Sequence, residues 1–313
     1  MKHPRPRVVV SECLGFRPTR YDGNMFHDKT VEALRRFADL LPVRPEIGIG
    51  LGVPRNPLVI TRNGDSILLV DTKTGEDFSD SMEKFAKSFI SSLADVDGFL
   101  MKSKSPSCGV GDAKVYGKGW AAVGRSDGTF TMLMRNAFPL LPVESEKRLL
   151  KYEVRRNFFT KIFSIADLRE TLSKAETDNL VELHRRNKYI LMLYNPSLLK
   201  RLGRLIAERA FREPRELKEN YRRLFQKALS RNPGRGSYTN VFTHIYSHIK
   251  ENLTAKEMGY ILTLIDDYRM GRNHLKTLTV YFKGFIYRLG NEYLAEQRFI
   301  EPYPEELEHI EEE

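Results

Sequence analysis

Cys13 and Cys108 are the two cysteines among 313 residues. Two thiols exclude a disulfide framework and a self-contained four-thiolate metal site, and they point to a reducing compartment. Each lies in a segment rich in glycine and polar residues. The first is Ser11-Glu-Cys-Leu-Gly15 with Arg20-Tyr-Asp-Gly23; the second is Lys102-Ser-Lys-Ser-Pro-Ser-Cys-Gly109. A third segment, Pro42-Val-Arg-Pro-Glu46, runs into Gly48-Ile-Gly-Leu-Gly52 and Pro54-Arg55. Glycines there allow close backbone approach, and exposed amides bind an anion or the sulfurs of a cluster. A thiolate beside Arg or Lys has a lowered pKa and serves as ligand or nucleophile. The bland alternative is that each cysteine is a small buried hydrophobe. Arg20, Asp22, Arg44 and Arg55 are the candidates for a substrate or anion pocket around them.

Such residues need elements to hold them. Arg7–Ser11 and Gly98–Met101 read as short buried strands, each delivering its chain into a cysteine loop. Val31, Leu34, Ala38 and Leu41 have helical spacing, which predicts a helix over 27–41. Segments 58–61 and 66–71 flank Asn63-Gly64, a strong hairpin signal. Asp77 or Ser79 caps a helix running to about Ala94. Strand, loop and helix in this alternation predict an α/β domain, three-layered with a mostly parallel sheet, over residues 1–145. Ligands bind beyond the carboxyl ends of such strands, where both cysteines fall. After Pro142 only helical patterns follow, six to eight of them, which predicts an all-α domain over 146–313 ending in an acidic tail. In it, Leu217, Tyr221, Leu224, Phe225 and Ala228 share a face. Thr254-Ala-Lys-Glu257 is a capping box for a helix with Met258, Ile261, Leu262, Ile265 and Tyr268 on its apolar side.

Other patterns carry less. The Gly48–Gly52 run lacks both the GxGxxG spacing and the Lys-Ser/Thr ending of a phosphate loop. His244 and His248 stand at zinc-binding spacing, but no Glu follows in the HExxH manner and no third ligand is evident.

The three loop segments resemble the family catalogued as domain of unknown function 523, whose characterised members are thiouracil desulfurases. The match runs from residue 8 to about 145. The helical half resembles the domain of unknown function 1722 over about 165–305, through His184-Arg-Arg-Asn-Lys188-Tyr189, Tyr238-Thr-Asn-Val241 with His244, Tyr268-Arg269 with Gly271, Tyr293-Leu-x-x-Gln297 and Pro302-Tyr-Pro304. The first resemblance implies a desulfidase that removes sulfur from a thiolated nucleobase such as 2-thiouracil. It implies a 4Fe–4S cluster held by three cysteines, with Cys13 and Cys108 as ligands. Glu46, and Ser105 or Ser103, would assist proton and water chemistry. The sequence departs from the family at Arg44, which replaces the cysteine of Val-Cys-Pro-Glu, and at Thr19, where many members have another. Two thiolates fix two irons; a third would need Asp22, Glu46 or His27, poorer ligands for such a cluster.

The charge is uneven. Residues 1–150 hold 22 Lys and Arg against 18 Asp and Glu, residues 151–300 hold 29 against 16, and the stretch from Glu301 onward holds seven acids. The basic helical half suits polyanions or acidic substrates, and the alternative is an ion-paired surface. Absence of an apolar run of about 18 residues argues against a membrane span, and the expected location is the cytoplasm. Three readings therefore stand: a desulfidase-like enzyme, a binding protein that keeps the pocket without the chemistry, and a nucleic-acid-associated module using the basic helices, with Lys218, Arg222, Arg223 and Lys227 as the contact face.

Overall fold

A computed structural model describes residues 2–18, 20–64, 66–174 and 176–310 of the chain. Thr19 and the tail acids 311–313 lie outside these described residues. The chain forms two compact units, one of residues 5–158 with 306–313 and one of residues 1–4 with 159–305.

In the first unit the strands are β1 (Arg7–Ser11), β2 (Asp39–Val43), β3 (Leu58–Asn63), β4 (Ser66–Asp71), β5 (Gly98–Met101), β6 (Ala113–Tyr116), β7 (Ala122–Ser126) and β8 (Val143–Ser145). They make two four-stranded sheets, ordered β2-β1-β5-β8 and β4-β3-β6-β7. The first sheet is parallel throughout. The second joins two antiparallel pairs through the parallel pair β3–β6. The helices are α1 (Lys29–Arg35), α2 (Pro45–Gly48), α3 (Ser79–Ser92) and α4 (Thr129–Ala137).

The run Val8-Val9-Val10 explains why β1 lies inside its sheet. Val9 shares a core with Phe99, Met101 and Val143 of the neighbouring strands, Met82 and Ala86 of α3, and Phe130 and Met134 of α4. Val8, Val10 and Leu100 point the other way by alternation and are equally buried. A parallel sheet covered on both faces needs such continuous apolar strands.

The hairpin and the strands entering the cysteine loops form as the sequence predicts, whereas three expectations change. The helix expected over 27–41 stops at Arg35, and residues 39–43 instead form β2, because backbone pairing with β1 from Arg7–Asp39 to Ser11–Val43 outweighs the helical spacing of Ala38 and Leu41. Residues 143–145, expected among helices, form β8 beside β5. At α3, Asp77 accepts the Ser79 N–H at 2.9 Å, while Phe78 occupies the N-cap position.

The second unit is built from α5 (Tyr152–Leu172, whose first turns belong to the first unit), α6 (Asp178–Arg186), α7 (Lys188–Tyr194), α8 (Pro196–Ala207), α9 (Pro214–Leu229), α10 (Arg235–Ile249), α11 (Ala255–Arg269), α12 (Leu275–Arg288) and α13 (Glu292–Ala295). The capping box at Thr254 forms with both of its bonds. Tyr221, Leu224 and Phe225 are buried, but Leu262 is exposed, so the apolar side of α11 is narrower than its spacing predicts.

Several matched motif residues in this unit serve packing. Asp167 accepts both arms of Arg186 at 2.6 and 3.0 Å. Gln297 donates to the Arg185 carbonyl, and the Arg298 N–H to that of Arg186, which stitches the chain after α13 onto α6.

The basic residues of α9 do not make one continuous exposed face. Lys218 donates to the Lys174 carbonyl and Arg222 is half-buried, whereas Arg223 and Lys227 are exposed. Described tail carboxylates pair elsewhere, Glu305 with Lys283 and Glu308 with Arg156. No helix among the described residues is long and apolar enough to cross a membrane.

Candidate functional site

Three strand ends of the parallel sheet meet at one place. The Lys102 N–H, just past β5, donates to Ser11 Oγ at the end of β1 at 2.9 Å. The Glu12 N–H donates to the Val43 carbonyl at the end of β2 at 2.8 Å. The loop after Cys13 folds back so that the Phe26 N–H meets the Cys13 carbonyl, and the Arg55 N–H holds the Tyr21 carbonyl. These bonds draw the three loop segments around a cavity of about 410 Å³.

Cys13, Cys108, Glu46, Ser103, Ser105, Arg20, Arg44 and Arg55 all line that cavity. Asp22 does not. It pairs with Arg20 at 3.1 Å and accepts the Asn24 N–H, so it shapes the turn.

The loop carrying Cys108 is tightly held. Ser105 Oγ accepts the N–H groups of Ser107 and Cys108 at 3.2 and 3.0 Å. Asp112 accepts those of Lys104 and Val110. Gly128 lies against it so closely that a Cβ there would stand 2.4 Å from the Ser107 carbonyl. Thr131 Oγ1 donates to the Cys108 carbonyl at 2.9 Å.

The thiols differ from the expectation of lowered pKa values. Burial pushes Cys13 up to about 12, with Glu46 adding to the rise against Lys102 and Arg20. Burial, and then Glu46, pushes Cys108 well up too, while hydroxyl contacts from Ser11 and Ser105 oppose. Desolvation disfavours the thiolate, and the carboxylate outweighs the nearby cations.

Several residues in the wall of this cavity, and Glu146 behind it, were not singled out in the sequence. Lys102 Nζ lies 2.5 Å from Glu146 Oε1 and 3.1 Å from Ser103 Oγ. Ser103 gives both its hydroxyl and its N–H to Glu146, at 2.6 and 2.7 Å. Glu146 follows β8 directly, so recognising that three-residue strand would have found it. Phe26 presents a ring with Lys102 Nζ 4.5 Å and the Arg20 guanidinium 4.3 Å from its centre. Glu12, in the motif itself, lines the cavity beside Cys13.

An α/β unit with a mixed-charge cavity beyond its parallel strands, two thiols in its wall and an aromatic ring at its side has the features that small-molecule sites share. A family profile described as 2-thiouracil desulfurase matches residues 8–146, and one described as a protein of unknown function (domain of unknown function 1722) matches residues 188–304. The uncharacterized protein YbbK of Bacillus subtilis (strain 168) is 30% identical over 111 residues, which cover 33% of this chain and 74% of that protein. A solved structure titled as a 4Fe-4S-dependent thiouracil desulfidase, TudS, is 30% identical and matches 46% of this chain and 93% of its own, with a TM-score of 0.38. The chain belongs to the 2-thiouracil desulfurase family, to which its N-terminal part is matched.

The donor set does not fit a cluster held by three cysteines. Two thiols line the cavity, and Arg44, which the motif resemblance sets at the place of a third cysteine, turns its Nε to within 3.6 Å of Glu12 Oε2. Among the described residues no group of three His, Cys, Asp or Glu side chains is placed to share a metal ion. A guanidinium repels a metal cation and attracts an anion or a carbonyl oxygen.

Proposed function

We propose that this desulfidase-like protein takes a thiolated nucleobase of the 2-thiouracil kind into the cavity of residues 5–158. We propose further that Arg44 has turned the site from sulfur removal through a three-thiolate cluster into binding. The observation that supports this most is the convergence of the three loop segments with a guanidinium at the third cysteine position.

The chain's own residues then act as follows. Phe26 and Tyr21 offer flat apolar surface to a planar ring. Cys13 and Cys108 stay protonated near neutral pH and form a weakly polar wall. Ser105 holds the Cys108 loop in place. Arg20, Arg44, Arg55 and Lys102 supply donors to ring oxygen or sulfur, and Glu12 and Glu46 accept ring N–H groups.

Anaerobic purification of the full chain, with analysis of iron and acid-labile sulfide and titration with 2-thiouracil, tests both parts. The expected result is an iron-poor protein that binds 2-thiouracil saturably and releases no sulfide from it. Failure to bind overturns the pocket reading. Iron-replete protein that liberates sulfide overturns the loss of cluster chemistry.

A further inference from the structure

Glu12 Oε2 is closed off from solvent and makes no hydrogen bond among the described residues, on a residue only 7% exposed that lines the cavity. A buried carboxylate oxygen without a donor is costly. Arg44 relieves it only by charge, because 3.6 Å exceeds hydrogen-bond reach. A second carboxylate–guanidinium pair lines the same cavity, with Arg55 Nη2 3.8 Å from Glu46 Oε2.

A simple anion would satisfy Arg44 but be repelled by Glu12. A metal cation would suit Glu12 and be repelled by Arg44. A group that presents an N–H donor beside a carbonyl or thiocarbonyl acceptor suits both. The N–H meets the carboxylate, and the acceptor meets the guanidinium.

We propose that Glu12 and Arg44 together read one N–H/C=O or N–H/C=S edge of a cyclic amide or thioamide, and that Glu46 and Arg55 read a second such edge. The proposal rests on the nucleobase reading above and adds its specificity. Arg44 is then a recognition residue. A uracil-type ring presents two N–H groups, each flanked by a carbonyl or thiocarbonyl, and so offers two edges to the two pairs.

The test compares 2-thiouracil with 1,3-dimethyl-2-thiouracil, which has no N–H, by calorimetric titration of the full chain. The dimethyl compound is expected to bind at least tenfold more weakly, about 1.4 kcal/mol. Glu12→Ala should weaken 2-thiouracil about tenfold while leaving the dimethyl compound nearly unchanged, whereas Arg44→Met should weaken both, because both present the carbonyl or thiocarbonyl that the guanidinium meets. If either variant fails to fold, the two ligands on the unaltered chain still decide. Equal affinities on the unaltered chain overturn the proposal but leave the pocket reading standing. Unchanged 2-thiouracil affinity in a folded Glu12→Ala chain marks the methyl penalty as steric and also overturns it. Binding of neither ligand overturns the nucleobase reading itself.

Discussion

Replacing Glu146 by alanine removes the acceptor that gathers Lys102 and Ser103. Three bonds converge on it, at 2.5, 2.6 and 2.7 Å, and the partners are almost fully buried. Truncation leaves the Lys102 ammonium, on a side chain only 13% exposed in the intact protein, without its carboxylate, and the Ser103 N–H without its acceptor. Breaking a buried pair on one side costs about 3–5 kcal/mol. For a unit of this size that lowers the melting temperature by roughly 6–20 °C. Urea unfolding followed by circular dichroism, with thermal scans of the same samples, measures the loss. Adding Lys102→Met to Glu146→Leu should recover the part due to the stranded ammonium, since an apolar pair avoids that desolvation penalty, while the Ser103 N–H stays without its acceptor. A loss below about 1 kcal/mol for Glu146→Ala, or no recovery in the double variant, would refute the reasoning that this network braces the cavity floor.

Arg44→Cys supplies a third thiol, and anaerobic reconstitution should raise iron content per chain; unchanged iron means that this position does not limit loading. Cys13, held up to about 12 by burial and by Glu46, should alkylate with iodoacetamide at pH 8 about a thousandfold more slowly than in the urea-unfolded chain, and equal rates would contradict the burial argument. The same shift has a linked sign: between about pH 9 and 12 the unfolded chain releases the Cys13 proton and the folded one keeps it, so this group makes stability fall as pH rises through that window, by about 1.4 kcal/mol per pH unit. Gly128→Ala places a Cβ 2.4 Å from the Ser107 backbone, which cannot yield as a side chain would; the melting temperature and 2-thiouracil affinity should both drop, and retention of both would show that the loop is free to shift.

What could be read in advance depended on whether its cause was local. Val8-Val9-Val10 and Gly98–Met101 are apolar runs ended by loop residues, and Asn63-Gly64 and Thr254–Glu257 are self-contained turn and cap signals, so these elements were legible. The strand β2 was not, because Val31, Leu34, Ala38 and Leu41 fit a helix and only pairing with β1 decides otherwise. Ala113–Tyr116 and Ala122–Ser126 carry few apolar residues, and their pairing with each other and with β3 makes them strands. In the cavity, Cys13, Cys108 and Glu46 stood in recognisable segments. The Lys102–Ser103–Glu146 network joins residues more than forty positions apart, and the near approach of Arg44 to Glu12 depends on β1 and β2 lying side by side. No local pattern records either.

The order β2-β1-β5-β8 has a further consequence. The two cysteine loops leave the inner strands, whose neighbours on both sides hold them. The loop with Arg44 leaves β2, which has a neighbour on one side only. A substitution there alters what the site attracts without touching the bonds that fix Ser11 to Lys102 or Ser105 to Cys108. Architecture and chemistry are thus separately heritable in this scaffold. On the binding reading proposed above, one codon at the margin of the sheet exchanges a soft ligand for a cation, and the same margin is where a protein engineer could exchange it again.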